Sequence, residues 1–293
     1  MKHTPLPEVT DVRDGLFPML RKALQTLQTQ RQDGRFSKSS FVAKRIAESI
    51  NADADDIYDM LVNTTDPRCE LPLVEGHGSF GFPPAAPEYS EIRVSGFYHD
   101  CAEKSAPSNP NEPIFMPIPY VLCAGMFGCP FTSTKIPTHN LGEVVDATIA
   151  LIQNPKMDTS DLLEIIKGPD ILIGGEIENK DELLSIYENG TGIIKINVTD
   201  DYYEESIDYA RWYNLKSRKK HGEKVRSIFF PYNALLSDGK ITKTMSLKEI
   251  IQNYIQFYKT SVAAQIGKTP SDEELCALLL EQKKNAFLRE TIV

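Results

Sequence analysis

Cysteine is sparse and poorly placed for cross-linking: there are five in 293 residues (Cys69, Cys101, Cys123, Cys129, Cys276), with no Cys-x-x-Cys pair. An odd set of scattered thiols is read most simply as reduced cysteines in a reducing compartment, and a zinc site is not expected. No apolar run nears the ~20 residues a membrane-spanning helix needs. The N-terminal Met1-Lys-His-Thr-Pro5 also lacks the apolar core of a signal peptide. A cytoplasmic protein with no membrane partner is therefore expected. No Gly-x-x-x-x-Gly-Lys-Ser/Thr stretch occurs, so the chain offers no phosphate-cradling loop of that type. Positive charge is short as well: 32 Lys and Arg face 41 Asp and Glu, for a net charge of −9. The overall field does not favour nucleic acid, and any such contact must come from local clustering.

What is present is enough apolar residue, 41%, to bury the core of one large or two modest domains. Residues 11–30 place Leu16, Met19, Leu20, Ala23, Leu24 and Leu27 at helical spacing, which predicts a helix capped by Asp11. Lys38 to Ile50 and Asp53 to Val62 predict two more amphipathic helices. Three short helices joined by brief polar turns fit a helix-turn-helix or winged-helix unit. Gly and Pro are frequent from Leu71 to Pro119, so loops with short strands are expected there, and Ser105–Pro113 reads as an exposed linker. Helices follow at Leu141–Ile152, Ser160–Ile166 and Lys180–Tyr187, with a strand at Gly192–Val198. A long helix is predicted over Leu247–Ile266, and Ser271 caps a last one reaching about Phe287.

The stretch Leu71-Pro-Leu-Val-Glu-Gly-His-Gly-Ser-Phe-Gly81, followed by Glu88-Tyr-Ser-Glu-Ile-Arg93, resembles the active-site segment of the A subunit of bacterial DNA gyrase and topoisomerase IV. Other segments fall in the same order as that family's motifs. They are Asp11-Val-Arg-Asp-Gly-Leu-Phe-Pro18, Arg21-Lys22, Lys38-Ser39, Ile57-Tyr-Asp59, Ile136-Pro-Thr-His-Asn-Leu-Gly-Glu-Val144, and Gly168-Pro-Asp170 with Gly174-Gly175. Lys243 to Ile251 is similar to the start of the helix leading to its coiled-coil arm. The resemblance implies an α+β fold. Residues 1–140 would form a winged-helix-like breakage-reunion (DNA-gate) domain, 141–245 a reduced tower-like α/β domain, and 246–293 terminal helices. It implies Tyr89 as the nucleophile that attacks a DNA phosphodiester. It implies DNA contacts from Arg13, Arg21, Lys22, Lys38, Ser39 and Lys135. The implied partners are double-stranded DNA, a second copy of the chain, and a B-type subunit that holds Mg²⁺ and hydrolyses ATP; the implied location is the nucleoid.

The chemistry sets demands on such a site. A tyrosine hydroxyl ordinarily titrates near ~10, so as a nucleophile it needs a base or nearby positive charge. Negative charge building on the phosphate must be offset by Arg, Lys or a divalent cation. Arg93, four residues on, shares a face with Tyr89 if that turn is helical, and is the expected supporting cation for that step. Where the family has an arginine before the tyrosine this chain has Glu88, which reverses the charge. Phe17 replaces a family lysine, Asn51-Ala-Asp-Ala54 a His-Pro-His-Gly, and Cys129 falls near the isoleucine that wedges between base pairs. The 48 residues from Ser246 to Val293 are too few for the family's coiled coil, exit gate and wrapping domain. Asp53, Asp55, Asp56 and Asp59 crowd the expected recognition helix; they suit a helix N-terminus but repel a DNA backbone. Lys44 and Arg45 add to a basic bias in the first helices, and Arg211 to Arg226 forms a second basic cluster; a solvated charged face explains either as well. His77 and His139 read as structural. Two functions are consistent with the whole: a DNA-cleaving topoisomerase of the A type, working through Tyr89, or a catalytically inactive A-subunit-like protein that modulates a gyrase or topoisomerase IV complex.

Overall fold

The computed structural model describes residues 6–30, 34–64, 71–80, 87–105, 111–124, 129, 131–170, 176–198, 216–219 and 226–283. The fold is α+β, with helices packed around three small sheets and one continuous apolar core. Gly174–Gly175, Arg211, Lys220, Lys224 and the end of the last expected helix lie outside the described residues, as does most of the expected linker.

The first helix, α1 (Pro18–Gln30), begins seven residues later than the periodicity suggests. Proline suits the first helical position, where its missing N–H costs nothing. The preceding segment is engaged elsewhere. Strand β1 (Thr10–Asp11) pairs in parallel with β9 (Leu235–Ser237), and the chain then turns through Gly15 at φ +72°. A Cβ on Gly15 would lie 2.7 Å from the Val121 amide nitrogen, so this turn tolerates only glycine. Asp11 is therefore not a helix cap; its carboxylate takes the Arg13 guanidinium through bonds of 2.9 and 2.7 Å.

Strand β2 (Ser37–Lys38) leads into α2 (Ser39–Ile50), which ends at Asn51 in the left-handed conformation. A three-residue turn then reaches α3 (Ala54–Asn63), capped by Asp53, whose side chain accepts the Asp55 amide. Strands β3 (Val74–Gly78) and β4 (Ser90–Val94) pair antiparallel, and β2 closes the sheet in the order β2-β4-β3. Helix α4 (Gly96–Ser105) follows directly, in a stretch whose glycines and prolines suggest only loops and strands. Its apolar stripe is short: Tyr98, Cys101 and Ala102 are buried, and its other residues are polar or partly exposed.

After the short α5 (Tyr120–Cys123), helices α6 (Leu141–Gln153), α7 (Thr159–Ile165) and α8 (Lys180–Asn189) match the predicted helices to within two residues. Strands β5 (Glu176–Ile177), β6 (Thr191–Val198), β7 (Lys216–Lys219) and β8 (Arg226–Asn233) form an antiparallel sheet in the order β5-β6-β8-β7. Strand β9 then pairs with β10 (Thr242–Thr244) on one side and β1 on the other. One sheet thus joins the start of the chain to residues 235–244, across the boundary expected at 140. Helix α9 (Leu247–Ile266) opens on a reciprocal cap between Ser246 and Glu249 and stops at Gly267, φ +71°. Helix α10 (Asp272–Lys283), capped by Ser271, packs on α6, where Lys283 reaches Asp146 at 2.6 Å. No helix among the described residues is long and apolar enough to cross a membrane.

One buried ion pair fastens this assembly. Arg21, 3% exposed, donates to Asp14 through bonds of 2.9 and 2.8 Å. The amides of Leu16 and Ile114 donate to the same carboxylate at 3.0 and 3.1 Å, and Arg21 also donates to the Asn111 carbonyl at 3.1 Å. Burial pushes the Asp14 carboxyl up to about 6 against the opposing pull of the Arg21 guanidinium. Removing one partner leaves an uncompensated buried charge, which typically costs about 3–5 kcal/mol. Asp14→Ala is therefore expected to lower unfolding free energy by about that amount in urea titrations. Asp14→Leu combined with Arg21→Met is expected to cost clearly less than the sum of the single changes.

Candidate active site

Tyr89 ends a 3₁₀ turn, Pro87–Tyr89, that runs straight into β4. Its side chain is 76% exposed, the most open aromatic ring on the described surface. Its main chain is held from two sides. The next residue, Ser90, is fully buried, and its hydroxyl donates to Ser39 Oγ at 2.9 Å and to the Pro87 carbonyl at 3.3 Å. Across the hairpin Ser90 pairs with Gly78, which has φ +72°. A Cβ on Gly78 would lie 2.9 Å from the Tyr89 carbonyl oxygen. Glycine is needed for the conformation and for the close approach alike.

The expected helical relation between Tyr89 and Arg93 is absent. Ser90–Val94 is a strand, in which four residues span about 13 Å at ~3.3 Å each. Arg93 sits opposite Glu75 in the hairpin and donates to it at 2.8 and 2.6 Å. It also donates to the Gly34 carbonyl at 3.0 Å and lies 4.4 Å from the Phe36 ring centre. Alternation along β4 buries Ser90 and Ile92 and leaves Glu91 and Arg93 on the outer face. Glu91 stands between Lys38, at 3.4 Å, and His77, at 3.6 Å. Glu88 is exposed on the same turn as Tyr89.

The residues expected to meet phosphate are in different situations. Lys22 and Lys38 are exposed, as are Lys44 and Arg45 on α2. Arg13 is half-buried on Asp11, whose hydrogen bond pushes its pKa further up. Arg21 is not a surface cation: it is locked in the core on Asp14, which removes it from the residues able to contact DNA. Ser39 is buried as well and serves Ser90 instead of a phosphate. Lys135 is half-buried, donates to the Cys129 carbonyl at 2.5 Å, and is pulled below its ordinary pKa by burial. Cys129 is buried, its thiol pushed up to about 11 by that burial, so it is no exposed wedge. Phe17 is a core residue. The side chains of the basic residues on β7 and of Arg226 lie outside the described part of the chain.

Helix α3 carries its acids as expected. Asp53 caps it and Asp55 and Asp56 fill its first turn; burial, and then Asp56 and Asp55, push Asp59 above its ordinary range. His139 is structural: buried, with Nδ1 3.0 Å from the Leu122 carbonyl and Nε2 2.6 Å from the Tyr187 hydroxyl. Sequence reading did not bring together His99, Asp100 and Glu103, exposed on α4 with ligand atoms within 4.8 Å of one another. The His-Asp-x-x-Glu spacing on a helix was the available signal, hidden because no helix was expected there. It also did not anticipate Ser90, whose role depends on a residue 51 positions away.

Known proteins are similar to this chain over much of its length. Residues 8–211 match the family model for the A subunit of DNA gyrase and topoisomerase IV. The DNA gyrase A subunit of Synechocystis is 34% identical over 305 aligned residues, covering 95% of this chain and 33% of that protein. The DNA gyrase A subunit of Chlamydia pneumoniae is 30% identical over 94% of this chain and 33% of its own length. The DNA topoisomerase 4 A subunit of Bacillus subtilis is 34% identical over 64% of this chain and 26% of its own length. The chain thus spans a quarter to a third of the length of these relatives.

Gly78→Ala is expected to destabilise the protein by about 1–3 kcal/mol, the usual cost of a strained backbone position. Thermal or urea unfolding measures this, and Gly34→Ala, with φ +69° but open space around it, serves as the less damaging comparison.

Proposed function

Because the chain belongs to the family of DNA gyrase and topoisomerase IV A subunits, we propose that it binds duplex DNA and cleaves it through Tyr89. The observation that carries this reading is the presentation of Tyr89. Its ring is open to solvent while its main chain is anchored on both sides. A ring merely retained for packing would have been buried by its neighbours, as Tyr98, Tyr187 and Tyr254 are.

The surrounding unit is assigned as a winged helix. In its favour are the order α1-β2-α2-α3-β3-β4, the sheet order β2-β4-β3, and the position of Tyr89 where the hairpin connection enters β4. Residues 1–140 then act as the breakage-reunion unit, 141–245 as a reduced tower-like unit, and 246–293 as terminal helices. Exposed Lys22, Lys38, Lys44 and Arg45 supply sequence-independent phosphate contacts. Arg13 and Lys135, half-buried, are secondary candidates.

In the reaction the Tyr89 phenol loses its proton to solvent or a nearby base, and its oxygen attacks the phosphorus. The bond from phosphorus to the 3′ oxygen breaks, that oxygen takes up a proton, and the 5′ phosphate stays on Tyr89. The reverse transfer reseals the strand. A B-type subunit is proposed to bring the divalent cation, Mg²⁺, and to hydrolyse ATP. Arg93 can serve the phosphate only by leaving Glu75, so its proposed role is supportive. A two-fold dimer on DNA at the nucleoid completes the proposal.

One observation favours the second reading, a non-cleaving A-like protein that docks on a gyrase or topoisomerase subunit. Two cations of this sheet are already matched by acids, Arg93 by Glu75 and Lys38 by Glu91, and Glu88 is exposed on the same turn as Tyr89. The test traps covalent complexes with detergent after incubation with plasmid, Mg²⁺ and a B-type subunit. The enzyme reading expects a DNA adduct that Tyr89→Phe abolishes. It also expects Glu88→Arg to raise adduct formation by on the order of 10², the usual worth of one charge-stabilising group. If no Tyr89-dependent adduct forms in wild type or in Glu88→Arg, while a topoisomerase subunit is retained in pull-downs, the second reading stands.

A further inference from the structure

We propose that Ser90, through its hydrogen bond to Ser39, is a positioning residue that sets Tyr89 at a fixed place relative to helix α2; this rests on the reading of Tyr89 as the nucleophile. Both serines are buried, and each hydroxyl is within hydrogen-bond distance of the other. Ser90 follows Tyr89 directly, and Ser39 is the first residue of α2. A single hydroxyl proton is shared between Ser39 Oγ at 2.9 Å and the Pro87 carbonyl at 3.3 Å, a three-centre arrangement. The second branch closes the turn over Glu88 and Tyr89. The first ties that closed turn to a helix 51 residues away in sequence.

The ladder between β2 and β4 already sets Ser37 opposite Ile92 and Lys38 opposite Glu91, and the serine bond extends that tie to Ser90 and the turn itself. Lys38, the residue before α2, makes no side-chain cap bond, and its amine goes to Glu91 on the outer face of the sheet. Gly78 fixes how closely the hairpin approaches the Tyr89 carbonyl, but it lies within the hairpin and does not reach α2. The Ser90–Ser39 bond therefore couples the turn bearing the nucleophile to the helix whose open face carries Lys44, Arg45 and the 58%-exposed Phe41. Phosphates held on that face meet the Tyr89 oxygen only if the turn keeps its register with α2. In-line attack is sensitive to such placement, and a displacement of about 1 Å costs roughly 10²-fold in rate.

The geometry separates this role from plain stability. An alanine at either position removes one hydroxyl from a well-packed site, and threonine at 90 keeps the hydroxyl in a strand setting that suits it. The experiment uses the full chain with its B-type subunit, plasmid and Mg²⁺. Ser90→Ala and Ser39→Ala are each expected to lower the single-turnover rate of the Tyr89 adduct by about 10- to 100-fold, with DNA Kd changed less than twofold. Ser90→Thr is expected to stay within threefold of wild type, and the double alanine variant to be no slower than the slower single one. In the DNA-free protein, hydrogen exchange over residues 87–94 is expected to speed up equally in both alanine variants. A wild-type adduct rate in Ser90→Ala overturns the proposal, as does a loss of DNA affinity that accounts for the whole rate change. If wild type forms no Tyr89 adduct, the functional reading fails separately. Unchanged exchange over 87–94 in Ser90→Ala then overturns the latch itself.

Discussion

A carboxylate and a guanidinium taken out of water hold the N-terminal half in register. Asp14 receives two bonds from Arg21 and one each from the amides of Leu16 and Ile114, so every one of these donors favours the ionised form. The cluster fixes the turn after β1 against α1 and brings the segment 111–114 onto both. β1 in turn seats β9, and with it the strands that close the sheet at residue 244. Such a pair contributes little by itself against an apolar replacement, but it is unforgiving of being half removed. It specifies which parts meet rather than how strongly they adhere.

That commitment changes how the basic residues are to be counted. The field of a chain of net charge −9 opposes a polyanion, and the single arginine of α1, Arg21, is locked in the core. On the outer face of the sheet, Glu75 holds Arg93 and Glu91 holds Lys38. Among the described basic residues of α1 and α2, Lys22, Lys44 and Arg45 remain exposed. This balance explains why the active-site sequence and the electrostatics pull in different directions, and why the acid at 88 matters more here than it would on a basic protein.

Much of the secondary structure was legible because it rests on local rules. A 3.6-residue apolar period located α6 to α9 to within two residues, and Ser271 marked the start of α10. Where the signal failed, tertiary pairing had overridden it. Asp11 looks like a cap until β9 claims the main chain beside it. Helix α4 was hidden because three buried side chains give it almost no amphipathic period. The pairing of Arg93 with Glu75 depends on a hairpin register 18 residues wide, which no local pattern encodes.

By itself the sequence determined the lineage, the α+β class, and the identity of Tyr89 as the candidate nucleophile, because these are carried by short motifs in fixed order and by local capping chemistry. Only the tertiary structure decided which charges are available. It buried Arg21, Ser39 and Cys129, left Tyr89 and Lys22 open, and matched Arg93 to Glu75, because solvent exposure and pairing are set by contacts between residues far apart in the chain.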